Sequence, residues 1–311
     1  MRVLKLLPLV GLCVVMGIPR IADCAEKVEI RQDLSKKLVY KNAWVSEYFS
    51  KRADVIDKDK ETGTVDVRVY GNWISTEQQV DPKEGDPPGT IRIWADIDAS
   101  ESTVTEDGAR ISLANFPHVM EGLSGRAVSW RMTPDGRLDQ FLPEFKTYEI
   151  TSYSMISDLH QLWMPEYRLG LPSEPVGPGD KWTAEQQIEV PINQIEKKGS
   201  VKIKSSYQVK KLKSKDGVKT AEIEENREIV YTGWIFSSAV SIIVNAEGTG
   251  KGKWVMDVTN GVVLSHEVKI KFDKVDVTTV DVTFEKPDEA VEDAKAKFKF
   301  EFKRKLAEIQ E

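Results

Sequence analysis

Polar and apolar residues alternate one by one along most of this chain. From residue 64 onward Val65, Val67 and Val69 face one way while Asp66, Arg68 and Tyr70 face the other, which is the period of a half-buried strand. Ile91, Ile93, Ala95 and Ile97 predict a second strand, and Ile111 with Leu113 carries the pattern onward. Between them, residues 81–89 hold three prolines and two glycines and predict a loop. The alternation restarts over residues 182–190. It continues through Val201, Ile203, Tyr207 and Val209, then Ala221, Ile223, Ile229, Tyr231, Trp234 and Phe236, and finally Val268, Ile270 and Phe272. Asp107-Gly108 and Asp216-Gly217 supply the positive backbone angles that tight hairpin turns require. Ahead of residue 59, Leu38, Tyr40, Trp44, Val45, Tyr48 and Phe49 fit either a short helix or a first strand.

Two segments follow a different period. Ile150, Tyr153, Ile156, Leu159, Leu162 and Trp163 recur at spacings of three and four, the stripe of an amphipathic helix over residues 148–163. In residues 287–311, Ala290, Ala294, Phe298, Phe302, Leu306 and Ile309 also make a helical stripe, although Phe298, Phe300 and Phe302 alternate as a strand would. The absence of a turn signal over that length favours a C-terminal helix. Residues 171–182, again with three prolines and two glycines, predict a rigid extended connection.

One motif is written twice. Gly125, Trp130, Met132 and the turn residue Gly136 mark a hairpin, and Gly250, Trp254, Met256 and Gly261 mark another. The turns at Asp107 and Asp216 come before them in the same order. This predicts a mainly β protein of antiparallel curved sheets, or a half-barrel, in two related halves, with the central amphipathic helix and the C-terminal helix attached. The expected divisions are residues 1–25, an N-terminal half at 26–170, a C-terminal half at 171–286 and the terminal helix at 287–311.

Residues 1–25 read as an export signal, with Arg2 and Lys5 ahead of an apolar run at 6–18 and small residues at Ala22, Cys24 and Ala25. The run falls short of the ~20 apolar residues that span a bilayer. The expectation is an exported chain, periplasmic or extracellular, with no integral membrane span. Lipid anchoring at Cys24 is disfavoured, because Asp23 stands where a lipidation motif wants Gly or Ala and Arg20 interrupts the apolar approach. Cys13 and Cys24 are the two cysteines. Cleavage after Ala25 leaves no thiol, so apolar burial alone has to hold the fold, and about 286 residues suffice for that.

Charge and motifs remove function classes. With 44 Lys+Arg against 50 Asp+Glu, net −6, the chain lacks an overall basic footprint for nucleic acid, though a local patch is compatible with that balance. His118, His160 and His266 stand far apart, which predicts no metal site and no cofactor. There is no Gly-x-Ser-x-Gly elbow, and Asp158 and His160 would point apart on a helix. The stretch 248–253 is no phosphate loop, because Trp254 and Met256 continue a strand; its glycines mark a bend or a ring lying across the backbone. Paired carboxylates for a hydrolase exist only as an unchosen pair among many.

Pro178-Gly179-Asp180-Lys181-Trp182, the Gly248-Thr249-Gly250 segment, Trp254 and Gly261-Val262-Val263-Leu264 resemble a family of exported bacterial proteins known as domain of unknown function 6263, over residues 64–284. The resemblance implies an exported, mostly antiparallel β fold and carries no catalytic residues. More loosely, it is similar to curved-sheet envelope proteins that carry lipids or lipoproteins.

The expected function is therefore non-enzymatic: an envelope protein holding a lipid or other apolar or amphipathic small molecule between a curved sheet and a covering helix. Trp130, Met132, Trp254 and Met256 from the sheet and Ile156, Leu159 and Trp163 from the helix are the expected lining, although the same residues serve equally as core. The alternative is an envelope scaffold that captures a protein partner through its sheet edges or the apolar stripe of its terminal helix.

Overall fold

The structure, a computed structural model, describes residues 26–54, 61–110, 126–133, 138–142, 170–189, 197–236, 240–281 and 290–310. Twelve antiparallel strands make one sheet: β1 (Lys37–Asp54), β2 (Glu61–Val80), β3 (Ile91–Glu106), β4 (Ala109–Arg110), β5 (Arg126–Met132), β6 (Leu138–Leu142), β7 (Lys181–Glu189), β8 (Lys197–Lys215), β9 (Val218–Phe236), β10 (Val240–Asp257), β11 (Val262–Asp281) and β12 (Ala290–Gln310). The order across the sheet is β6-β5-β3-β2-β1-β12-β11-β10-β9-β8-β7, with β4 beside β3. Strands from both predicted halves thus share one sheet, joined where β1 pairs with β12.

The sheet curls. Its two edge strands, β6 and β7, come within 8 Å of each other in Cα position, yet no β6–β7 ladder forms among the described residues, so the barrel is not closed. Eight strands run 16 to 21 residues, roughly 53–70 Å each, which makes the curled sheet tall.

Alternation decides which face turns inward. On β12 Phe298, Phe300 and Phe302 are buried while Lys297, Lys299 and Lys303 are exposed. The same parity runs along β8, where Val201, Ile203, Tyr207 and Val209 are buried between exposed Lys202, Lys204, Ser206 and Lys210. Rings line the inner face: Trp44 packs on Phe300 with centroids 6.3 Å apart, Trp73 on Phe302 at 5.9 Å and Phe272 on Phe298 at 5.9 Å. Each such side chain contributes ~1.5–3 kcal/mol by leaving water. Gly248 lies under the Phe272 ring, where an added Cβ would stand 2.6 Å from it, so the glycine-rich stretch is a strand crossed by side chains, as its sequence predicts.

One end of the curl is capped by the chain itself. Val28 and Val176 exchange backbone hydrogen bonds of 2.9 Å, the Asp33 amide donates to the Gly261 carbonyl at 2.8 Å, and the Gln79 amide donates to the Leu34 carbonyl at 2.8 Å. Val28, Ile30 and Val176 then pack with Tyr207, Val209, Ile223, Trp254 and Met256 in one apolar cluster. The Pro-Gly-Asp-x-Trp motif makes this join. Gly179 adopts φ 92°, the Gly177 amide donates to Asp180 Oδ2 at 3.0 Å, and the Gly179 amide donates to the Val209 carbonyl at 2.8 Å. Trp182 stacks on Tyr207 with centroids 5.1 Å apart and donates its indole N–H to the Gly170 carbonyl at 2.7 Å.

The predicted loop at 81–89 and the Asp-Gly turns are present, with Asp107 at φ 47° and Asp216 at φ 52°. The early region is a strand, β1. The expected C-terminal helix is overturned: Ala290–Gln310 is β12, a central strand paired on both sides. Its physical reason is the period-two alternation of phenylalanine and lysine, which a helix would scatter around its circumference. The expected central helix at 148–163 and the signal at 1–25 lie outside the described residues.

Candidate functional site

Polar and aromatic side chains on inward-facing positions form a belt inside the apolar wall. On β9 the inward series Ala221, Ile223, Ile229 and Tyr231 is interrupted by Glu225 and Arg227. Their side chains are 0 % and 2 % exposed, and burial at that level demands pairing. Arg227 Nε donates to Glu225 Oε1 at 2.6 Å and Nη2 to Oε2 at 2.9 Å. Ser205 Oγ on β8 donates to Oε1 at 2.7 Å, and the Trp254 indole N–H on β10 donates to Oε2 at 2.8 Å. Burial works to raise the Glu225 carboxyl, but the Arg227 charge and these hydrogen bonds outweigh it and hold it below the usual glutamate value. The same burial, with the Glu225 charge beside it, pushes the Tyr207 hydroxyl far above the usual tyrosine range.

The belt continues along the hydrogen-bonding direction of the sheet. Trp254 lies opposite His266 on β11, and the two rings stack with centroids 3.5 Å apart and planes 10° from parallel. His266 lies opposite Arg304 on β12, and Arg304 lies opposite Asn42 on β1. Arg304 Nη2 donates to Glu77 Oε2 on β2 at 2.6 Å, across the intervening strand, and its guanidinium sits 3.4 Å from the Tyr40 ring centroid. Ser75 Oγ donates to Glu77 Oε1 at 3.1 Å, and Asn42 Nδ2 donates to Ser75 Oγ at 3.0 Å. Two buried Arg–Glu pairs, 2 %/0 % and 5 %/1 % exposed, are therefore linked by a stacked Trp–His pair. The arrangement offers an apolar wall with a charged but internally neutral band, the chemistry that suits a mostly apolar molecule with one polar end.

A third charge cluster lies on the outward side. Asp86, from the 81–90 loop, takes Arg92 Nη2 at 2.8 Å and Arg131 Nη1 at 3.2 Å. The Arg92 guanidinium holds its carboxyl down at about 2. This fixes the loop over β3 and β5.

Of the sequence-predicted lining, Trp254 and Met256 are fully buried on β10 and share the capped cluster. Met132 is buried on β5, opposite Ile91. It does not join them in that cluster: β3, β2, β1, β12 and β11 stand between β5 and β10 along the sheet. Trp130 is placed on β5 opposite Ile93. Ile156, Leu159 and Trp163 lie outside the described residues. Glu225, Arg227, His266, Arg304, Glu77, Asn42, Ser75 and Ser205 were not foreseen, although each keeps the inward parity of its strand. Among the described residues no group of three metal-ligating side chains converges and no helix is long and apolar enough to cross a membrane.

No family model and no curated protein matches the chain. Solved structures do align along most of it. An outer membrane channel from Pseudomonas putida F1 aligns at 6 % identity over 89 % of this chain and 98 % of that one, with a TM-score of 0.24. The β-domain of the Bordetella autotransporter BrkA aligns at 8 % identity over 86 % and 99 %, TM-score 0.21. A mutant Rh. blastica porin aligns at 9 % identity over 85 % and 100 %, TM-score 0.21. Likeness at these TM-scores carries no argument about activity or location.

Proposed function

We propose that this protein is a non-enzymatic exported envelope protein that holds an apolar or amphipathic small molecule against the inner face of its curled sheet. The observation that carries this reading is the inner wall itself, with Trp44, Trp73, Trp254, Phe298 and Phe302 surrounding a buried polar belt. A barrel of about eight strands has an interior that side chains fill or that holds one small ligand, and wider ones have more room to enclose a ligand or another element. Eleven strands lie on the path that comes round here.

The outward face supports a wall that meets water. Exposed Lys202, Lys204, Glu224, Glu228, Lys251, Lys253, Lys269 and Lys271 recur at alternate positions on four neighbouring strands. A lysine set against lipid at the bilayer midplane costs about 2–4 kcal/mol, so eight charged positions argue for a carrier over a membrane channel.

The test is to express residues 26–311, purify under native conditions and extract with solvent for mass spectrometry. A stoichiometric apolar compound, released together with a change in tryptophan emission, is the expected result. An empty protein whose tryptophan emission ignores added fatty acids and phospholipids would overturn the proposal.

A further inference from the structure

Lysines crowd the outward side of the β11, β12 and β1 strands. On β12 the outward positions are Lys297, Lys299, Glu301, Lys303 and Lys305, flanked by exposed Lys269 and Lys271 on β11 and Lys41 on β1. Glu47, Glu301 and Glu267 pair with Lys299, Lys269 and Lys303 at 3.4, 3.2 and 3.5 Å. Lys41, Lys297 and Lys305 have no carboxylate partner among the described residues. Lys41 moreover lies directly opposite Lys305, a like-charge pair that weakens a sheet. Beside it, Ala43 faces Lys303 on one side and Asn72 on the other, and this small side chain leaves a groove of about 410 Å³ that Ile74 and one acidic residue, Glu101, also line.

A like-charge lysine pair at the centre of a sheet, beside a groove where Lys41, Lys303 and Lys305 outnumber the one carboxylate, Glu101, leaves an excess of positive charge that an external anion would offset. We propose that the β11–β12–β1 face docks on the surface of an anionic lipid bilayer, with a phosphate-bearing headgroup seated among Lys41, Lys303 and Lys305. The array is broad as well as long: Lys297 to Lys305 spans roughly 26 Å along β12, and three strands add roughly 10 Å of width. Phe49, 39 % exposed, belongs to the same face, opposite Lys297. A basic field bearing an exposed ring matches a headgroup layer with acyl chains beneath it. A long polyanion would instead run past the patch onto an acidic molecule. This docking stands on the outward face alone and does not depend on a ligand inside.

The test uses residues 26–311 with vesicles of phosphatidylcholine, alone or mixed with phosphatidylglycerol, in a flotation assay. Salt-sensitive binding to the mixed vesicles and none to the neutral ones is expected. The K41Q/K303Q/K305Q variant should bind roughly 100-fold more weakly. K204Q/K210Q/K213Q removes the same charge from lysines paired with Glu185, Glu224 and Glu222, and should lose less than about threefold. No binding by the parent protein, or equal losses in both variants, overturns the proposal. So does tighter binding to heparin or single-stranded DNA that the first variant abolishes. If the triple variant unfolds, K41Q alone decides, with roughly fivefold weaker binding expected and unchanged binding refuting it.

Discussion

Replacing Arg227 with methionine tests whether the inner belt is held by charge pairing. The substitution keeps most of the side-chain length and removes the guanidinium that gives Glu225 two hydrogen bonds, of 2.6 and 2.9 Å. Glu225 is then a fully buried carboxylate with only Ser205 and Trp254 as donors. Removing one partner of a buried pair costs about 3–5 kcal/mol. An exposed pair such as Lys210–Glu224, with side chains 45 % and 55 % exposed, is worth at most about 1 kcal/mol. The pH dependence separates this mechanism from simple loss of packing. In the parent protein the folded pKa of Glu225 lies below its unfolded value, so its contribution is complete above the unfolded value and is lost as pH falls through the folded one. Without Arg227, burial dominates and the folded pKa rises above the unfolded one. The variant then takes up a proton on folding, and its deficit shrinks as pH falls from neutral towards the ordinary glutamate range. Urea unfolding followed by tryptophan fluorescence at neutral pH and near pH 5 measures both terms. Glu225→Gln, which strands the cation instead, should be as costly at neutral pH without recovery on acidification. A deficit for Arg227→Met below about 1 kcal/mol, or one equal at both pH values, would refute the reasoning.

Two further perturbations test the architecture. A Cβ on Gly71 would stand 2.0 Å from Trp44 Nε1, so Gly71→Ala forces the indole off its seat and should cost about 1–3 kcal/mol, read as a lower urea midpoint with an unchanged slope. Truncation after residue 286 removes β12 from between β1 and β11 and should yield no soluble folded protein by circular dichroism; a folded, monomeric truncation would contradict the strand order.

The strands and turns of the fold were legible because each inward position is apolar and each outward one polar, a signal local to five or six residues. β12 shows how that signal is lost. Phe298, Phe300 and Phe302 carried the correct period, but Ala290, Ala294 and Leu306 fit a helical stripe equally well, and length tipped the reading towards a helix. What settles it is nonlocal: Trp44 on one neighbouring strand and Val268 on the other both stand opposite Phe302. The register with β1 joins residues 302 − 44 = 258 apart in sequence, and nothing near residue 302 encodes it. The two Asp-Gly turns illustrate the same limit. They share a backbone geometry, yet at Asp216-Gly217 the strand that leaves the turn, β9, pairs on with β10, whereas at Asp107-Gly108 the strand that enters it, β3, pairs with β5.

The polar belt was hidden for a related reason. Read along β9 alone, Glu224, Glu225, Asn226, Arg227 and Glu228 look like a solvated charge run, and three of them are exposed. Parity distinguishes the other two, since Glu225 and Arg227 fall in phase with Ile223 and Ile229. Arg304 falls likewise in phase with Phe302, His266 with Val268, and Glu77 with Trp73. A charge in phase with the core is a costly placement that only a partner can offset. Arg227 finds its partner two residues away on its own strand, but Arg304 reaches across β1 to Glu77, 227 positions back in the chain. Two pairs solved in such different ways, at neighbouring levels of one wall, are hard to ascribe to local folding needs, because apolar residues of similar size would satisfy the same positions without desolvating four charges. Under the proposed function, that cost assigns the belt, more than the tryptophans around it, to the polar end of the molecule held.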